Sequence, residues 1–455
     1  MKVHLIATGG AVMHNMALAL QDKGFEVSGS DDEIFDPAKS RLEKHGILPK
    51  EWGWFPEKIT KDLDIIILGM HARPNNPELL KAQQLGLTIY SFPEYLYENC
   101  KDKTRVVIGG SHGKTTTTSM VMHVLKHAGI DFDYMVGAQI EGFDKMVKLS
   151  HDAKIAIFEG DEYLSSPIDL RPKFHLYKPH IASLSGIAWD HINVFPTFDN
   201  YVEQFSLFAD VIKKNGSLIY YENDENIQEV VKGSREDIQK IPFQSHPHRV
   251  ENGATILLDS GKEYPIVVFG KHNLENLSCA KLICEQLGIS NDTFYTAISH
   301  FGGAAKRLQL LKENSHSQVY LDFAHSPSKL EATTSAVKEQ FPDRQLIACM
   351  ELHTFSSLNA EFLEQYKDCM QKADRAIVYF DKHTLAHKKL KGISVDQVRN
   401  AFGGSNVEVM NDAQVFRDFV VNLKLDNTNL LLMSSGNFSG INFTDLANNL
   451  IPDSK

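Results

Sequence analysis

Short apolar runs alternate with longer amphipathic stretches along most of the chain, and this alternation predicts an α/β protein built on parallel sheets. In the first hundred residues, strands are expected at 3–8, 26–30, 64–70 and 87–91, with a helix over 13–23. The polar stretch Lys101-Asp102-Lys103-Thr104-Arg105 marks a boundary. A second group of strands follows, at 154–159, 180–185, 217–220 and 266–269, as far as a hinge at Gly302-Gly303-Ala304-Ala305. Beyond it the runs at 318–323, 345–350, 375–380 and 430–434 read as buried parallel strands with helices between them. The expected domains are therefore 1–102, 103–303 and 304–455, the outer two Rossmann-like and the central one of the P-loop ATPase type.

The length of 455 residues agrees with this count, at a prior of roughly 150 residues per domain. With 42% hydrophobic and 23% charged residues the composition is that of a soluble globular protein. No run approaches the ~18 apolar residues of a membrane span. The opening apolar run breaks at Gly9 and Gly10 and reads as a first strand, not as a signal peptide. Cys100, Cys279, Cys284, Cys349 and Cys369 show no metal or redox spacing, so reduced thiols and a cytoplasmic location are expected. A net charge of −11 argues against nucleic acid as a partner, while loops remain free to bind small anions.

One segment carries a chemical signal of its own. Between the apolar run Val106-Val107-Ile108 and a helical pattern stands Gly110-Ser111-His112-Gly113-Lys114-Thr115-Thr116. Amides in such a turn converge on phosphate oxygens, the helix directs its positive end there, and Lys114 adds a mobile cation. The hydroxyl of Thr115 is then free for magnesium, and the whole reads as a triphosphate cradle. Glu159, ending the next strand, is the candidate metal carboxylate, and Asp190-His191 follows another predicted strand end. The segment Phe269-Gly270-Lys271-His272-Asn273-Leu274-Glu275-Asn276 opens a helix whose amides suit an adenine edge. Past the hinge, Arg307 suits phosphate and Asp322 suits ribose. In the first domain, Thr8-Gly9-Gly10-Ala11 is a loosened dinucleotide turn, with Ser30 and Asp31 ending the second strand where a ribose hydroxyl would bind.

Taken in order, these segments resemble the ATP-dependent Mur ligases of peptidoglycan synthesis over nearly the whole chain. The Gly-Ser-His-Gly-Lys-Thr-Thr loop, Glu159, Asp190-His191, the Gly-Lys-His-Asn-Leu-Glu-Asn segment, and Arg307 with Asp322-Phe323-Ala324-His325-Ser326-Pro327 are similar to that family's motifs. The resemblance implies ATP and magnesium as cofactors, with Lys114, Glu159 and His191 catalytic and Thr115, Glu159 and His191 at the metal. It places ATP on the 110–116 loop, His272, Asn273, Asn276, Arg307 and Asp322. Within the family, the first domain resembles the muramate branch, which implies that Thr8, Gly9, Gly10, Ala11, Ser30, Asp31, His71 and Asn76 bind UDP-N-acetylmuramate. Gln204 and Phe205 stand where other branches carry a carbamylated lysine.

Two acceptors compete in that branch: L-alanine, and the recycled tripeptide L-alanyl-γ-D-glutamyl-meso-diaminopimelate. The stretches Asp161-Glu162-Tyr163, Asp169-Leu170-Arg171-Pro172-Lys173-Phe174 and Leu432-Met433-Ser434-Ser435-Gly436-Asn437-Phe438 resemble the peptide-adding members. His353 and Ser356 fall where arginines would clamp the carboxylate of alanine, so the tripeptide is the leading expectation and alanine the alternative. His325, His353, Ser356, Gly436 and Asn437 are the expected contacts of the amino substrate, and the assembly expected is a monomer or weak homodimer. A more remote alternative is a non-catalytic, nucleotide-dependent binding or switch protein.

Overall fold

A computed structural model describes residues 1–189, 194–388, 392–403 and 407–452. The chain divides into two compact units, one of Met1–Gln244 with Glu275–Ile298 and one of Ser245–Leu274 with Ser299–Lys455.

The first unit begins with β1 (Lys2–Ile6), β2 (Glu26–Ser30), β3 (Ile65–Leu68) and β4 (Ile89–Ser91), a parallel sheet in the order β2-β1-β3-β4. Val3, Leu5 and every residue of β3 are buried, as expected of strands covered on both faces by crossover helices. The helix Ala11–Asp22 starts two residues earlier than its pattern suggests, with Gly10 as N-cap. Next come β5 (Thr104–Gly109), β6 (Phe132–Met135), β7 (Val147–Lys148), β8 (Ile155–Glu159), β9 (Leu164–Ser166), β10 (Asp169–Pro172), β11 (Ile181–Leu184), β12 (Ser217–Tyr221) and β13 (Gln239–Phe243). Seven of them form one sheet, β13-β12-β11-β5-β8-β6-β7, and β9 and β10 form a separate ribbon. The sheet centre is the trio β11, β5 and β8, mutually parallel, whose carboxyl ends therefore lie side by side.

The polar connection ahead of β5 conceals a tie. The guanidinium of fully buried Arg105 donates to the carbonyls of Tyr177, Lys178, Cys100, Lys101 and Lys103 at 2.6–3.1 Å. Five acceptors with fixed directions match the planar fork of arginine, which lysine could not reproduce.

The second unit holds β14 (His248–Glu251), β15 (Ala254–Asp259) and β16 (Lys262–Ile266), an antiparallel sheet with no counterpart in the sequence reading. The strand expected at 266–269 is not formed, since β16 ends at Ile266. Phe269 instead packs its ring against those of Tyr320 and Phe341, at centroid distances of 5.6 and 5.9 Å, just ahead of the helix Lys271–Gln286. The larger sheet comprises β17 (Gln309–Glu313), β18 (Gln318–Asp322), β19 (Gln345–Leu352), β20 (Arg375–Phe380), β21 (Val407–Met410) and β22 (Thr428–Met433), in the order β17-β18-β22-β19-β20-β21. All its pairs are parallel except β17 with β18. The fully buried run Thr428–Met433 is one of its two central strands, beside β19. The α/β class holds, with its three larger sheets mainly parallel. Among the described residues no helix is long and apolar enough to cross a membrane. All five cysteines are buried free thiols.

Candidate active site

The trio β11, β5 and β8 builds the first site. β5 delivers the loop Gly110 to Gly113, and the helix Lys114–His127 starts immediately, so the loop amides and the helix terminus share one direction. Gly110 and Gly113 have φ of 120° and 74°, values that favour glycine. A Cβ on Gly113 would lie 2.1 Å from Oδ1 of Asn276, and one on Gly110 would lie 2.5 Å from Oγ of Ser185. Asn276 is thereby placed against the loop, where the helical pattern had suggested a nucleotide contact. Ser111 Oγ accepts from the amide of Ala188 at 2.9 Å and meets the hydroxyl of Tyr201 at 3.0 Å. The ring of His112 lies over Gly186, where a Cβ would come within 2.9 Å of it, so the small residue at 186 fits the histidine of the loop.

Lys114 Nζ donates to Oε2 of Glu162 and to the carbonyl of Gly110, both at 2.7 Å. Burial works to lower the pKa of Lys114, but Glu162, Asp161 and Glu159 outweigh it and hold the ammonium above its ordinary value. Thr115 Oγ1 donates to Oε1 of Glu159 at 3.0 Å, and the amide of Gly137 donates to Oε2 at 3.0 Å. The hydroxyl and carboxylate expected to share a metal are thus adjacent. Thr116, one residue on, is buried in the first turn of the helix. Asp190 and His191 lie outside the described residues. Gln204 and Phe205 sit on the helix Phe198–Asp210; the carbonyl of Gln204 meets Nε2 of His175 at 2.7 Å, and the Phe205 ring packs edge-on to those of Phe174 and Tyr201.

Glu162 and Tyr201 received no role from the sequence. Glu162 stands three residues past Glu159, a spacing open to inspection, whereas no local pattern ties Tyr201 to a residue 39 positions away.

At the carboxyl edge of the first sheet, the amide of Gly9 donates to Oδ2 of Asp31 at 2.6 Å and the amide of Asp32 donates to Oδ1 at 2.9 Å. Burial pushes the Asp31 carboxyl up to about 6, against the pull of these amides. The amides of Ala7 and Thr8 both donate to the carbonyl of Ser30, which closes the turn ahead of exposed Ala11. The ring of exposed His71 comes within 3.8 Å of a Cβ built on Gly10. Asn76 caps the helix Pro77–Leu85, its side chain accepting from the amides of Glu78 and Leu79.

In the second unit, β18, β22 and β19 are parallel neighbours, and their ends carry Asp322, Ser434 and Glu351. Asp322 accepts from the amides of Leu308 and Ala324, both at 2.6 Å; burial raises its carboxyl above the usual range despite the opposing charge of Arg307. The Arg307 guanidinium stands 4.8 Å from the ring centroid of Phe323. Glu351 Oε2 accepts from the hydroxyl of Ser434 and, at 2.9 Å, from the amide of Phe438, while Oε1 lies 3.7 Å from Nδ1 of His353. Burial raises the Glu351 carboxyl, but His353, Ser434 and that amide together leave it below its ordinary value. The Gly436 amide donates to Ser434, and a Cβ there would be 2.8 Å from Glu351. His353 and Gly436 are thus brought together around Glu351, a residue that received no role from the sequence. Ser356 is half-buried, Asn437 is exposed with Oδ1 on the Gly440 amide, and His325 keeps Nδ1 2.7 Å from the carbonyl of Phe323. His272 is half-buried, with burial pushing its imidazole down to about 4, and buried Asn273 donates to the carbonyl of Phe269 at 2.9 Å.

A lysine-bearing phosphate loop at the centre of a parallel sheet, flanked by a carboxylate at the next strand end, defines an α/β nucleoside triphosphate enzyme. Comparison with known sequences makes this specific. Three family models match in succession: "Mur ligase family, catalytic domain" over 2–104, "Mur ligase middle domain" over 108–284 and "Mur ligase, glutamate ligase domain" over 306–436. The chain belongs to the Mur ligase family, and it is an ATP-dependent amide ligase that forms carbon–nitrogen bonds. It is 28% identical over 452 residues to the UDP-N-acetylmuramate–L-alanine ligase of Sulfurihydrogenibium sp., covering 97% of this chain and 96% of that one. Among solved structures it is similar to a UDP-N-acetylmuramate-alanine ligase from Thermotoga maritima, with a TM-score of 0.70, 18% identity and coverage of 99% and 98%. It is similar also to the UDP-N-acetylmuramate:L-alanyl-γ-D-glutamyl-meso-diaminopimelate ligase from Neisseria meningitides, with a TM-score of 0.60, 25% identity and coverage of 66% and 98%.

Proposed function

We propose that the protein is a cytoplasmic ligase that activates the lactyl carboxylate of UDP-N-acetylmuramate with ATP and joins it to an amine. The observation that supports this most is the adjacency, at three neighbouring strand ends, of the loop, Lys114, and the Thr115–Glu159 oxygen pair. The carboxylate attacks the γ-phosphorus and ADP leaves; the amine then attacks the acyl carbon and phosphate departs with one carboxylate oxygen. No enzyme nucleophile is needed, so the protein's task is to hold two anions together. The loop amides of residues 110–113, Thr116 and Lys114 serve the phosphates. The hard oxygens of Thr115 and Glu159 fit magnesium, the family resemblance assigns His191 to the same ion, and the ion when bound adds charge neutralisation at the phosphates.

The remaining assignments belong to the same reading. Domain 1–102 takes the uridine diphosphate sugar through Thr8, Gly9, Gly10, Ala11, Ser30, Asp31, His71 and Asn76. Domain 103–303 takes ATP, with His272, Asn273 and Asn276 toward adenine. Domain 304–455 contributes Arg307 and Asp322 to the nucleotide and His325, His353, Ser356, Gly436 and Asn437 to the amine.

For the acceptor, the relatives shift the balance of the sequence reading. L-alanine has the support of the curated relative that matches nearly the full length of the chain. The tripeptide of peptidoglycan recycling is kept as a second reading because of one local arrangement. Around buried Glu351, the turn that would meet a small amino acid offers His353 and Ser356, with no guanidinium among residues 351–357 for its carboxylate. Losing a bidentate arginine would cost alanine about 1.5–3 kcal/mol per charged hydrogen bond. The deciding experiment supplies ATP, magnesium and UDP-N-acetylmuramate with either amine and weighs the products. A product formed faster with L-alanine establishes the first reading, and faster UDP-muramyl tripeptide the second. Absence of both, with no amine-dependent ADP release, removes the proposal and leaves a switch protein.

A further inference from the structure

We propose that Glu162, held by Tyr201, is a positioning residue that sets the direction of the Lys114 ammonium over the phosphate loop. The inference rests on the reading of this loop as the ATP site. Glu162 is almost wholly buried, its side chain 1% exposed, in the stretch after β8. One oxygen accepts from Lys114 Nζ at 2.7 Å and the other from the hydroxyl of Tyr201 at 3.0 Å. Tyr201 is itself fully buried on the helix Phe198–Asp210, with its ring 5.1 Å and 5.4 Å from the rings of Phe205 and Phe195. Its hydroxyl also meets Ser111 Oγ, within the loop, at 3.0 Å. A chain of contacts thus runs from the loop backbone through Ser111, Tyr201 and Glu162 back to Lys114, with Tyr201 and Lys114 each carried on a helix.

A lysine side chain has four rotatable bonds and a point charge, so it points nowhere without partners. The carbonyl of Gly110 and the Glu162 carboxylate supply two fixed directions and fold the chain back over the loop. Glu162 has a second, opposing effect, because its negative charge weakens the pull of the loop on phosphate. Its loss should therefore separate binding from catalysis. The nucleotide keeps its ground-state attraction, while the ammonium loses the orientation that matters when charge develops on the transferring phosphoryl group.

The test uses the full chain and three variants, Glu162→Gln, Glu162→Asp and Tyr201→Phe, with ADP affinity measured by calorimetry beside kcat and KM for ATP. Glu162→Gln is expected to lower kcat at least tenfold with ADP affinity unchanged or tighter. Glu162→Asp should recover part of that loss, and Tyr201→Phe should lower kcat about fivefold in the same pattern. A kcat within twofold of the parent in Glu162→Gln overturns the inference. So does a matching fall in kcat and ADP affinity, the mark of a damaged loop. If the parent binds ADP yet shows no turnover with UDP-N-acetylmuramate, the proposed function fails instead. The inference is then decided by whether crystals of Glu162→Gln with ADP show Lys114 displaced from its parental direction, an undisplaced lysine refuting it.

Discussion

Replacing Lys114 by methionine should cost the protein both its reaction and part of its stability, and the two losses should be separable. Methionine keeps the stem and removes the ammonium. Glu162 would then retain its hydrogen bond from Tyr201 but lose the cation 2.7 Å away, inside a site where its side chain is 1% exposed. Breaking a buried ion pair by removing one partner costs about 3–5 kcal/mol. Lys114 is 15% exposed, so some solvent screening remains and a loss of about 2–3 kcal/mol is expected for the first unit. For a unit of this size that lowers the melting temperature by about 4–12 °C. Adding Glu162→Gln to Lys114→Met removes the stranded carboxylate and should restore most of the stability, while ADP release stays abolished in both variants. The assay is thermal unfolding beside coupled ADP detection. A single variant as stable as the parent, or a double variant no more stable than the single, would refute the electrostatic reading of the pair. Normal turnover in either would refute the role of Lys114.

Three other outcomes are expected of the same structure. Gly113→Ala places a Cβ 2.1 Å from Oδ1 of Asn276 at a φ of 74°, so it should lose at least about 1–2 kcal/mol in unfolding free energy and most ADP release. Asp31 titrates near pH 6 in the folded chain against an ordinary 3.8, so the folded state binds this proton more tightly than the unfolded one. Its contribution therefore favours folding progressively as pH falls from above 6 towards 3.8, and affinity for UDP-N-acetylmuramate should rise across pH 6 as the carboxylate forms. In Asp31→Asn both trends should be flat near pH 6, as followed by melting temperature and calorimetry. Glu159→Gln should raise the magnesium concentration for half-maximal activity by about tenfold or more, read from a metal titration of ADP release, since one of two oxygens suited to the ion loses its charge.

What the sequence made legible was whatever is encoded locally. The run Val106-Val107-Ile108 followed by two glycines and a helix pattern locates the loop because strand, turn and helix each carry their own period, and β8 ending at Glu159 is read the same way. The run at 266–269 misled because apolarity alone does not distinguish a strand from a connector whose phenylalanine is buried against neighbouring rings. The sheet β14-β15-β16 escaped notice because its strands are short and half exposed, with mixed polar faces. Contacts that join distant stretches were out of reach for a different reason. Arg105 looks like a polar linker residue until the carbonyls of Tyr177 and Lys178 are seen around it, and Tyr201 resembles any core aromatic until its hydroxyl is found on Glu162. The sequence reading of Asn76 as a sugar contact also omitted a competing local use, the cap of the helix Pro77–Leu85.

In the proposed reaction the sugar's own carboxylate takes the γ-phosphoryl group of ATP. UDP-N-acetylmuramate labelled with oxygen-18 in the lactyl carboxylate, turned over with ATP and the accepted amine, tests it directly. One labelled oxygen should appear in each inorganic phosphate released, carried from carboxylate to phosphorus when the acyl phosphate breaks. Phosphate free of label, formed while ADP accumulates, would show that water attacks ATP and that no acyl phosphate of the sugar forms.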